Sequence, residues 1–176
     1  MTLTATDGRT EKRYRTFWCR AAPAVVDFLV LLPMGVFLLW AGPRATSPVI
    51  LIPLYVLNAG TALAYSVVLH ARYGQTLGKR AAHVRVIDLS GARIGVRQAV
   101  YRDSPWLALA LTDIVWATQR ILQGKNPFKM EDLGLIPFAL AAAQVIWLIA
   151  ELITMLTNRR RRAVHDWIAS TLVIRT

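Results

Sequence analysis

The sequence predicts an all-α transmembrane helical bundle of four spans that carries a small cytoplasmic β-hairpin or three-stranded sheet. Three observations predict it. Of the 176 residues, 55% are apolar and the mean hydropathy is +0.41, which is too hydrophobic for an ordinary soluble domain. The apolar residues gather in runs close to the ~20 residues that a bilayer needs. The 21 Lys and Arg, which bring the net charge to +11, fall in blocks between those runs. Such blocks orient spans and do not form the continuous basic face of a nucleic-acid binder.

Residues 1–17 form a polar, basic cytoplasmic tail with Arg9, Lys12, Arg13 and Arg15. The rest, 18–176, reads as a single membrane domain. The first span covers about 18–40, with Trp18 and Trp40 at the ends where an aromatic belt places them. It is longer than a signal-peptide h-region of roughly 7–15 residues and carries Asp27, so it is expected to be retained. A turn-rich loop, Gly42-Pro43-Arg44 to Ser47-Pro48, leads to the second span at about 49–70. The segment from Arg72 to Arg102 carries seven Lys or Arg and no long apolar run. Within it "AHVRVIDLSGARIGV" alternates apolar and polar residues around Leu89-Ser90-Gly91, the pattern of a hairpin over about 82–97. The C-terminal "STLVIRT" is rich in β-branched residues and offers a third strand.

The segment 105–122 is short and places Thr112, Asp113, Trp116, Gln119 and Arg120 on one face, so a helix lying in the interface also satisfies it. The span at 133–157 is clear, broken only by Glu151, and a basic C-terminal element, 159–176, follows. Charge decides for a crossing at 105–122. With four spans both termini are cytoplasmic and only Arg44, Arg120, Lys125 and Lys129 lie outside; with three, Arg159 to Arg162 must be translocated.

Few motifs carry chemistry. "YGQTLGKRA" falls short of a phosphate loop, because Gly74 and Gly78 enclose three residues and Arg80 follows Lys79 where Ser or Thr is needed. It reads as a glycine-punctuated exit from the second span, with Lys79 and Arg80, like Arg159 to Arg162, near anionic lipid headgroups. His165-Asp166 has no nucleophile at a recognisable spacing, so no enzyme activity is expected. Three scattered His and the single Cys19 predict no metal site, no disulfide and no cofactor.

Ionisable groups inside the spans are the strongest signal, since each costs roughly 2.5–3.5 kcal/mol at a helix centre and needs a partner. Arg20 and Asp27 share a face of the first span, about 10 Å apart along its axis. Counted from the cytoplasmic ends, Asp27 lies ~14 Å, Asp113 ~12 Å and Glu151 ~10 Å deep. Thr61 and Tyr65 reach a similar depth and offer hydroxyls. The plainer reading is that these groups only glue helices together.

Three stretches, "FWCRAAPAVVDFLV", "GQTLGKRAAHVRVIDLSGARI" and "NRRRRAVHDWIASTLVI", occur in this order, and together the chain resembles the RDD family of small bacterial membrane proteins. The resemblance implies that Arg20 is the family arginine and that Asp27 and Asp166 are its two aspartates. It also implies the bacterial inner membrane as location. Two departures stand out: Ser170 replaces a common Gly before Thr171, and the stretch between Arg102 and Arg159 is long. Asp166 is expected either to pair with Arg20 or to cap a short helix beginning at Trp167.

Two functions follow as expectations. One is a transporter or channel subunit that moves a monovalent cation or protons through Asp27, Asp113 and Glu151, working as a homo-oligomer because four spans enclose little volume. The other is a scaffold that docks another membrane protein through its basic cytoplasmic face. Nucleic acid is not an expected partner.

Overall fold

The computed structural model describes residues 18–132, 134–158 and 161–175. Helix α1 (Trp18–Ala41) ends in a 3-10 turn, Gly42–Arg44, and α2 (Pro48–Tyr73) returns beside it. A short α3 (Leu77–Ala81) leads into β1 (Val84–Asp88), then come α4 (Val96–Leu122), α5 (Leu135–Thr157), α6 (Val164–Ile168) and β2 (Thr171–Arg175). Among the described residues, three segments are long and apolar enough to cross a membrane: Ala22–Arg44, Pro48–Tyr73 and Leu135–Thr157. Phe28, Leu39 and Ile146 on them are 62%, 75% and 67% exposed. Side chains of that kind need lipid, because water would not tolerate so large an apolar face.

Helix α4 is the fourth long helix, but Arg97, Arg102, Asp103, Asp113 and Arg120 keep it out of that set. Composition therefore supports three of the four expected spans. The helix begins nine residues before the expected start at Pro105. Proline lacks the N–H that would bond Tyr101 O, and the Ser104 hydroxyl takes that carbonyl at 2.8 Å, so the helix runs through. Near its start Ala99 packs with Val84, Val86, Ile94 and Val173, against Val67 and Ala71 of α2. Near its end Trp116 and Ala117 pack with Tyr55 and Phe128. Helix α4 thus lies antiparallel to α2, and Ala99 to Ala117 covers about 27 Å of rise. Beyond it, the Asn126 amide donates to the carbonyls of Gly42 and Ala45, both at 3.0 Å, which ties the chain to the α1–α2 turn.

The expected hairpin over 82–97 is corrected. β1 pairs antiparallel with β2, from Val84 opposite Arg175 to Asp88 opposite Thr171, in a two-stranded sheet. Of the local pairing there remain a bridge between Ile87 and Arg93 and the bond from Asp88 N–H to Ala92 O at 3.0 Å. Two physical reasons account for it. The Gln98 side chain accepts from Gly95 N–H at 3.4 Å and starts α4 where the second strand would have continued. Thr171 to Ile174 are all buried, so pairing with β2 sinks far more apolar surface than Arg93 to Val96 offers.

The glycine-punctuated exit has the expected form. Gly74 caps α2 with φ 72°, the left-handed conformation favoured at helix ends, and Thr76 caps α3 by accepting from Lys79 N–H at 3.3 Å.

Candidate functional site

Several polar features lie among the helices. In the first, Asp27 of α1 accepts from the Tyr65 hydroxyl at 2.6 Å, the Thr76 hydroxyl at 2.7 Å and Gly78 N–H at 2.8 Å. Three donors satisfy the carboxylate, so α1 is bound to the connector that leaves α2. The bond to Gly78 needs close approach, which only a glycine at that position permits.

The second cluster joins α4, α5, α6 and β2. Arg102 Nη1 donates to Asp166 Oδ1 in a close ion pair and to the Thr171 hydroxyl at 2.9 Å, while Nη2 donates to His165 Nε2 at 2.6 Å. Asp166 also accepts from Ala163 N–H at 3.0 Å, and its side chain is wholly buried. Because a guanidinium only donates, His165 Nε2 must accept, which leaves the proton on Nδ1 for Glu151 of α5. The backbone N–H of His165 donates to the same carboxylate at 3.2 Å. Burial first, and then the Arg102 charge, hold the His165 pKa below its ordinary value, with Asp166 and Glu151 pulling the other way.

A pH dependence follows. The unfolded chain takes up the proton more readily than the folded one, so the neutral-His165 network contributes fully above about pH 6.5 and weakens as pH falls below it. The thermal unfolding midpoint of detergent-solubilised protein is expected to drop between pH 7 and pH 5 in the wild type, and less in His165→Gln, where an amide oxygen replaces Nε2. Parallel declines in the two proteins would refute it.

The third feature is a cavity of about 360 Å³ between α2, α4 and α5. Its walls run from Ala59 to Ser66 on α2 and from Asp103 to Asp113 on α4, with Gln144 from α5. One oxygen of Asp103 is buried with no hydrogen-bond partner, and Asp113 accepts from the Tyr55 hydroxyl at 3.1 Å. A buried carboxylate oxygen with no donor marks a place where a cation or a proton would be stabilised.

The residues expected from the sequence are distributed over these features. Tyr65 meets Asp27, but Asp113 and Glu151 stand in clusters of their own. The Thr61 hydroxyl bonds Leu57 O on its own helix and lines a separate, mostly apolar cavity of about 340 Å³. Arg20 lies on α1, and its side chain is outside the described residues, so the expected pair with Asp166 falls there too. Arg159 and Arg160 are likewise outside them, while Arg161 and Arg162 donate to the carbonyls of Leu156 at 2.8 Å and Asp166 at 2.9 Å. Asp166 lies within α6, which begins at Val164 instead of Trp167. Sequence reasoning missed Arg102, Asp103 and Gln144. A signal existed for the first two: Ala99, Arg102, Asp103, Trp106, Ala110 and Asp113 follow helical spacing through Pro105.

Long lipid-compatible helices, a small sheet at one end and a buried arginine–aspartate pair define a multi-pass helical membrane protein. The RDD family model matches residues 14–170, and the chain belongs to the RDD family. Neither a curated protein nor a solved structure matches it.

Proposed function

We propose that this protein is a transporter or channel subunit of the bacterial cytoplasmic membrane that moves a cation or protons, with four crossings and both termini in the cytoplasm. The observation that carries this reading is the cavity between α2, α4 and α5, which is lined by two carboxylates, Asp103 and Asp113. Acids inside a bundle are expensive unless they serve a pathway or pair with one another. The antiparallel course of α4 beside α2 supports the fourth crossing, as does the bond of Asn126 to the α1–α2 turn. The positive-inside tendency supports the orientation. Four helices enclose little volume, which favours assembly as a homo-oligomer.

Reporters at residues 1 and 176 are expected to read cytoplasmic and one at Asn126 external. A cytoplasmic signal at Asn126 would place α4 in the interface and remove the fourth crossing. Function is tested by flux in proteoliposomes loaded with sodium, potassium or a pH-sensitive dye. A signal is expected that falls about tenfold in Asp113→Asn, equivalent to about 1.4 kcal/mol of barrier. Absence of any cation or proton signal from the wild-type protein would overturn the reading.

A further inference from the structure

The cavity between α2, α4 and α5 has a shape as well as a charge. Asp103 and Asp113 sit ten residues apart on one face of α4, about 15 Å along its axis, so they cannot converge on a single small ion. Between them the wall is largely apolar, formed by Trp106 and Ala110 of α4 and Ala59 and Ala62 of α2, with Gln144 of α5 as a polar lining residue. The geometry points to a linear diammonium ion, an α,ω-diamine or short polyamine, lying in this slot with one ammonium on each aspartate and its methylenes along the alanines.

This rests on the cation-transport reading and names its substrate class. Each ammonium would donate to one of the two carboxylates that line the cavity, at about 2.8 Å. Removing one N–H···O contact at each end from ~15 Å leaves about 9–10 Å between the two nitrogens. That is the reach of roughly six or seven methylenes at ordinary covalent dimensions. A monoamine would leave one carboxylate unmatched, and a much shorter diamine could not reach both.

The test is calorimetric binding to the full-length protein in nanodiscs of uncharged lipid. The probes are 1,3-diaminopropane, 1,7-diaminoheptane, n-heptylamine and sodium chloride. Affinity is expected to be highest for 1,7-diaminoheptane and at least tenfold lower for 1,3-diaminopropane and n-heptylamine. Asp103→Asn and Asp113→Asn should each lower it at least tenfold. Ala110→Leu, which fills the middle of the slot and leaves both acids in place, should abolish it. Affinity independent of chain length, or unchanged in both Asn variants, overturns the proposal, and the wild-type length series decides alone should those variants not fold. Uptake of 1,7-diaminoheptane into proteoliposomes separates the two readings. Acid-dependent sodium or proton flux with no length preference sinks the diamine and keeps cation transport, whereas length-selective binding without any flux keeps the site and sinks transport.

Discussion

Replacing Arg102 by Gln is expected to cost about 3–5 kcal/mol of stability, the loss seen when one partner of a buried ion pair is removed and the other stays charged. Asp166 is left behind in that variant with a side chain that has no access to solvent. For a chain of this size the unfolding midpoint should fall by more than about 6 °C, at roughly 2–4 °C per kcal/mol, and the yield of membrane-inserted protein with it. Arg102→Lys should recover little. Arg102 serves Asp166 and Thr171 through one nitrogen and His165 through the other, and a single ammonium cannot hold that fork. Pairing Arg102→Gln with Asp166→Asn should be less harmful than the sum of the single changes, because the stranded charge is gone. An Arg102→Gln protein that melts within about 2 °C of the wild type would show that the pair does not hold the sheet end together.

The second large effect belongs to Gly78. A Cβ there would stand 2.1 Å from Pro23 O, 2.8 Å from Pro23 C and 2.9 Å from Asp27 Cγ. Two of these atoms are helix backbone and cannot turn aside. Gly78→Ala must therefore push α3 away from α1 and stretch the bonds that Thr76 and Gly78 make to Asp27. The expected cost lies at the upper end of the ~1–3 kcal/mol typical of overpacking. Gly60→Ala is the matched control, because nothing lies within 4 Å of a Cβ in the middle of α2. It should be neutral or gain up to about 1 kcal/mol from helix propensity. Comparing thermal midpoints decides the matter, and equal behaviour of the two variants would show that the contact between α1 and α3 is not tight.

What was legible in the sequence was local. The expected spans at 18–40, 49–70 and 133–157 match α1, α2 and α5 to within three residues, because an uninterrupted apolar run declares its own length. β1 and the C-terminal strand could both be read from their β-branched residues. That the last strand would join the sheet was legible too; that it would take the place of the nearer segment beside β1 was not, since a strand pattern does not say which partner it takes. The same limit hid the site. Arg102 finds Asp166 across 64 positions and Tyr55 finds Asp113 across 58, distances at which spacing carries no geometric information. Proline misled at α4. Pro105 resembles a first helical residue, yet Ser104 supplies the missing donor and the helix continues.

The pairing of β1 with the last strand also sets a clock. A ribosome adding about 5–20 residues per second needs roughly 3 to 14 seconds between finishing Arg102 and finishing Thr171. Throughout that interval the arginine is without the aspartate and threonine that the finished fold gives it, and the inner face of β1 is without β2. Helix α5 is inserted during the same wait, so membrane integration precedes closure of the sheet. Closing the arginine end of the bundle is therefore a late step, which waits until β2 has been made.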